Sequence, residues 1–133
     1  PSVSYNLRHG GSILIDRKNP KQALSEMNKF ADYLNKHSRS GVIFPEGTRS
    51  RSGVPKKFQR KGLALLLKKM PDAYVLPVTI NNSWKLQKNG MFPMPLGVRI
   101  KYDVHPFIKV SDFENEALIS KIELLIKSTI LVK

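Results

Sequence analysis

Two short apolar runs, "SILID" at Ser12–Asp16 and "GVIFP" at Gly41–Pro45, constrain the fold most, because each stops abruptly in charge and a helical pattern lies between them. Runs rich in β-branched and aromatic residues read as strands, and Pro45 ends the second ladder by removing a backbone donor. Asn19 offers a helix N-cap and Pro20 suits the first helical position. Ala23, Leu24, Met27, Ala31 and Leu34 then share one face of a helix over about 20–37.

The alternation continues. "KKFQRKGLALLLKKM", residues 56–70, predicts a helix with a basic first turn, ended by Pro71. "AYVLPVTI", residues 73–80, predicts a strand in which Pro77 marks a bulge or an edge position. Residues 81–96 hold Gly90, Pro93 and Pro95 and are expected to form an irregular loop. In "GVRIKYDV" the apolar Val98, Ile100, Tyr102 and Val104 alternate with other residues, which predicts a strand with one buried face. Ser111 and Glu114 have the spacing of a capping box before a last helix carrying Leu118, Ile119, Ile122, Leu125, Ile126 and Ile130. The order of elements predicts a single α/β domain over 1–133, with a mixed, partly parallel sheet flanked by helices. Ligands of such sheets gather at the carboxyl ends of strands, where Asp16-Arg17-Lys18 and Glu46-Gly47-Thr48-Arg49 both fall and could converge.

A length of 133 residues suits one domain. The absence of cysteine excludes disulfides and thiolate metal sites, and the three histidines are too far apart in sequence for a local metal motif. No apolar run is long enough to span a bilayer, and nothing at the start has the pattern of a signal peptide. The formal charge of +13 attracts phosphates, nucleic acid or an anionic membrane surface. "PSVSYNLRHGG" opens without Met, and the chain is expected to be part of a longer protein. The loop after "GVIFP" combines a carboxylate, a glycine, a hydroxyl and permanent positive charges, a set suited to an anionic ligand.

"FPEGTRS", Phe44–Ser50, resembles the signature block of the glycerolipid acyltransferases. "ILIDR" at Ile13–Arg17, "FQRKG" at Phe58–Gly62 and "VLPVTI" at Val75–Ile80 resemble further blocks of that family in the same order, so the likeness covers about residues 10–108. It implies that Arg17, Glu46, Gly47, Thr48 and Arg49, with Lys61 in addition, contact a phosphate-bearing acceptor. The implied activity moves a fatty acyl group from acyl-CoA or acyl carrier protein to a hydroxyl of a lysophospholipid, 1-acylglycerol 3-phosphate being the usual inference, in phospholipid synthesis. Such chemistry needs no metal or resident cofactor; the acyl thioester is a co-substrate. The implied location is the cytoplasmic face of an anionic membrane, without a membrane span in this chain. Glu46 repels a phosphate, and is expected to fix an arginine or to accept a hydrogen bond from a glycerol hydroxyl.

One departure matters. The family's catalytic block is a histidine followed after four residues by an aspartate, the first removing the acceptor's proton and the second orienting it. Here the residues five positions after His9, His37 and His105 are Leu14, Val42 and Val110. In the family that block precedes the arginine block, so it is expected before Pro1, with the N-terminal part of the domain missing and no catalytic residue in this chain. The chain alone is then expected to bind acceptor without turning over. Alternatives are a non-catalytic lipid- or phosphate-binding relative, or a basic nucleic-acid-binding module, which only the charge supports. Arg51, Lys56, Lys57 and Arg60 either solvate a loop and a helix start or face an anionic bilayer. His9 reads as a solvated side chain. Trp84, Met91, Phe92 and Met94 form either a membrane- or acyl-contacting loop or core beneath one. The last helix is expected to pack on the sheet rather than lie on a membrane.

Overall fold

The structure, a computed structural model, describes residues 10–16, 18–90 and 92–132. Helix α1 (Pro20–His37) starts where the sequence places it: Asn19 Oδ1 accepts the Gln22 N–H at 3.1 Å, and Pro20 fills the first turn. At its other end Ser38 turns left-handed, φ 49°, and the Arg39 N–H reaches the Leu34 carbonyl at 3.0 Å. Met27, Ala31 and Leu34 are buried, as their spacing predicts.

Helix α2 (Arg60–Lys69) begins four residues later than its apolar pattern predicts. The reason is hydrogen bonding upstream: the Lys56 N–H is taken by Glu46 at 3.1 Å and the Gln59 N–H by the Pro45 carbonyl at 2.7 Å, which holds this stretch in the preceding loop. The strand expected over 73–80 is cut at the buried Pro77 into β1 (Tyr74–Val75) and β2 (Val78–Asn81). A short 3₁₀ turn (Ser83–Gln87) opens the long loop, and β3 (Lys101–Val104) and β4 (Ile108–Lys109) follow. Helix α3 (Asn115–Ser128) ends the described fold.

The expected partly parallel sheet is not seen among the described residues. β1 pairs antiparallel with β4, Val75 opposite Ile108, and β2 pairs antiparallel with β3, Val78 opposite Val104 and Ile80 opposite Tyr102. Residues 12–16 and 41–45, expected as strands, carry no ladder. A ladder needs a neighbouring strand, and the described chain lays none beside them; each run packs one side chain, Ile13 or Ile43, on Met27, Ala31 and Leu66, and the Gln22 side chain takes up the Asp16 N–H and the Leu14 carbonyl of the first. Their neighbours point outward, with Val42 82% and Phe44 70% exposed. The capping box is also not formed. Val110 is buried and draws Val110–Asp112 into a 3₁₀ turn that contains Ser111, so α3 starts at Asn115 with Glu114 as an N-cap that makes no side-chain bond.

The main core joins Phe58 and Leu67 to Ile108, Val110, Leu118, Ile119 and Ile122. Each fully buried aliphatic side chain contributes roughly 1.5–3 kcal/mol. The last helix therefore packs on the sheet side, as expected. β3 reverses its expected orientation: Tyr102 and Val104 are exposed and Asp103 is half-buried. The inner face of the hairpin is polar because it meets the end of α3 through hydrogen bonds. Thr79, 1% exposed, donates to the Ile126 carbonyl at 3.0 Å and accepts from the Thr129 hydroxyl at 2.7 Å. Asn81 donates to Asp103 and to the Thr129 carbonyl, and accepts the Leu131 N–H at 2.9 Å. His105 Nε2 lies within hydrogen-bonding distance of the Thr79 hydroxyl, at 3.0 Å, and joins this network.

Candidate functional site

The loop between "GVIFP" and α2 is anchored at both ends, by Ile43 on the α1 side and by buried Phe58 in the main core. Between these anchors the chain closes on itself. The Gly47 N–H turns back to the Phe44 carbonyl at 3.0 Å with φ +69°, a conformation only glycine adopts without strain. Glu46 accepts the Lys56 N–H, and Lys56 Nζ donates to the Arg49 carbonyl at 3.3 Å. Gly53, φ +82°, lies under the indole of Trp84, where a Cβ would collide with Nε1. Trp84 Nε1 is buried with no hydrogen-bond partner among the described residues.

This closure leaves the central residues facing out. Thr48, Arg49, Ser50 and Arg51 line an open cleft of about 540 Å³ whose opposite wall is Trp84, Gln87, Lys88 and Gly90. The same four loop residues line a second depression with Ser52, Val54, Pro55 and Lys56. Neither arginine is in an ion pair among the described residues. From Gly47 to Tyr102 the chain carries twelve Lys and Arg against one acid, Asp72. The cleft therefore offers two guanidinium groups, an ammonium, two hydroxyls and turn backbone to an anion.

The residues expected at the site fare differently. Gly47, Thr48 and Arg49 are together on the loop, Thr48 and Arg49 on the cleft wall. Glu46 sits at the loop's base and is spent on the Lys56 backbone; no described arginine pairs with it. Lys61 is exposed on the first turn of α2 and lines neither cleft. Arg17 lies outside the described residues, as do His9 and Met91, so the convergence of the two charge clusters is not described; Asp16 itself accepts the Lys18 N–H at 2.9 Å in a local turn.

Sequence reasoning missed Gln87 and Lys88 as cleft residues. The 3₁₀ turn carries them there, and no periodic pattern announces a five-residue turn. Arg60 leaves the candidate set: its guanidinium pairs with Glu116 at 3.1 Å and Glu123 at 3.2 Å and donates to Ser120 at 2.6 Å, tying α2 to α3. The Lys127 ammonium, and then Arg60, hold the Glu123 carboxyl below the usual range, and Lys101 and Asn81 do the same for Asp103. No group of three or more His, Asp or Glu side chains able to hold a metal occurs among the described residues.

The acyltransferase family profile matches residues 1–81, over half of the chain. The chain belongs to the acyltransferase family. It is 36% identical over 124 residues to a 1-acyl-sn-glycerol-3-phosphate acyltransferase of Borreliella burgdorferi, covering 90% of this chain and 48% of that protein. Proteins of the same name from Cocos nucifera and Pseudomonas aeruginosa are 30% and 37% identical over 84% and 66% of the chain. The chain spans about half the length of the Borreliella relative and about a third of the other two, at 35% and 34%. No solved structure matches it. No helix among the described residues is long and apolar enough to cross a membrane.

Proposed function

We propose that this chain carries the acceptor-binding part of an enzyme that acylates 1-acylglycerol 3-phosphate, and that Thr48, Arg49 and Arg51 grip the acceptor's phosphate. In that reaction the acceptor hydroxyl attacks the carbonyl of an acyl-CoA or acyl-carrier-protein thioester; a C–O bond forms, the C–S bond breaks, and the thiol leaves with the proton. The observation that carries the reading is the cleft itself, where signature residues Thr48 and Arg49 stand with Arg51 and Lys88 and no carboxylate among them. The names of the relatives support the choice of acceptor.

A phosphate monoester carries nearly two charges, and one contact to a cation at 4 Å is worth about 4 kcal/mol before desolvation at an effective dielectric near 20. Two arginines then supply affinity in the millimolar to micromolar range, on the order of −4 to −8 kcal/mol. Glu46 acts through the loop: by holding the Lys56 N–H it keeps Thr48 to Arg51 turned outward. Arg17 and Lys61 enter this proposal on the family resemblance alone. With no histidine followed at the family's spacing by an aspartate, the chain by itself binds and does not turn over.

The test is steady-state kinetics in the full-length protein, following thiol release. Arg49→Ala raises the acceptor KM at least tenfold and leaves the acyl-CoA KM within twofold. An unchanged acceptor KM overturns the assignment.

A further inference from the structure

The long excursion between β2 and β3 has a fixed base and an unpartnered tip. Asn81 pairs with Lys101 across the hairpin, and Asn82 Nδ2 donates to the Arg99 carbonyl at 3.1 Å, so the base is closed. The wall of the anion cleft runs up one side of the excursion, through Trp84, Gln87, Lys88 and Gly90. Just beyond, three large apolar side chains face water: Phe92 at 86%, Met94 at 58% and Leu96 at 99% exposure. Pro93 and Pro95 separate them, and neither has an N–H that would need a partner in an apolar medium. Lys85 and Lys88 on the first arm of the excursion and Arg99 at its closed base are all exposed and in no ion pair among the described residues. No acid occurs from Ala73 to Tyr102.

We propose that Phe92, Met94 and Leu96 dip into the interface of an anionic bilayer while Lys85, Lys88 and Arg99 meet its lipid phosphates. Water is a poor place for such a tip, and its cationic collar matches a negative leaflet and no neutral apolar partner. The cleft then opens at headgroup level, with a lipid's phosphate on Arg49 and Arg51 and its acyl chain beside the tip. This inference rests on the membrane-lipid acceptor proposed above.

The chain has no cysteine, so Met94→Cys gives a single position for an environment-sensitive fluorophore. Added to vesicles of phosphatidylcholine with phosphatidylglycerol, which offer diesters and no monoester, the label shifts to the blue and the protein co-sediments. Binding falls at least tenfold in pure phosphatidylcholine, and at least tenfold in Phe92→Ser/Leu96→Ser on mixed vesicles. A label at Lys21→Cys on α1 is unmoved. Co-sedimentation with a silent Met94→Cys label, or equal binding to neutral vesicles, overturns the proposal. Glycerol 3-phosphate titrated without vesicles separates the two readings: Phe92→Ser/Leu96→Ser retains its affinity, which also shows that the variant is folded. A protein that binds vesicles through the tip but not glycerol 3-phosphate refutes the acceptor assignment alone.

Discussion

The inner face of the β2–β3 hairpin and the loop of residues 44–59 both present polar side chains on a folded scaffold, and they spend them in opposite ways. On the hairpin, Thr79 and Asn81 are almost wholly buried and turn their groups to the end of α3. In the loop the Glu46, Ser50 and Lys56 side chains bond within the loop, and Thr48, Arg49 and Arg51 face solvent. Bonds satisfied within the chain stabilise it, because breaking them strands buried groups; charge left unsatisfied is what a ligand can use. The first region should answer mutation in stability and the second in binding.

The largest effect expected is at Asn81. Asn81→Ala empties a buried site and removes the partner of the part-buried Leu131 N–H and Thr129 carbonyl, and should cost about 3 kcal/mol in thermal or urea unfolding while glycerol 3-phosphate affinity of the folded protein stays within twofold. A loss below 0.5 kcal/mol would break the contrast from the structural side. Gly53→Ala tests the point where the loop meets Trp84: its positive φ and the overlying indole predict a cost of about 1–2 kcal/mol with a changed Trp84 emission. An unaltered spectrum would show that the indole does not pin the loop.

Acid gives a smaller, graded effect. Glu123 is held below its ordinary 4.5 by Lys127 and Arg60, so its contribution is complete above that value and is lost as pH falls through the lower folded value. Glu123→Gln should flatten the fall in stability below pH 4.5, and an unchanged acid limb would remove Glu123 from the account. Smallest of all, Arg51→Ala should change stability by less than about 0.5 kcal/mol, as an exposed loop charge does. A larger loss would mean the loop spends Arg51 on itself.

How far the sequence could be read follows the same division. Asn19, Pro20 and the apolar stripe of α1 are local signals, and the helix appears where they place it. The signature loop was legible because its residues are contiguous. Strand pairing was not, since partners such as Val75 and Ile108 are far apart along the chain and alternation says only that a strand has two faces. In β3 it named the wrong face, because Asp103 is drawn inward by Asn81. Lys88 and Arg60 show the limit for charges: one lines the cleft and the other ties two helices, and only the tertiary fold tells them apart.

The central claim, that the outward-facing arginines of this loop hold a phosphate monoester, is tested most directly by calorimetric titration of the chain with a short-chain 1-acylglycerol 3-phosphate. The account predicts a dissociation constant in the millimolar to micromolar range, weakened at least tenfold in Arg49→Ala/Arg51→Ala and undetectable for the same acylglycerol without its phosphate. Equal binding by the wild type and the double variant, or by the two ligands, would contradict it.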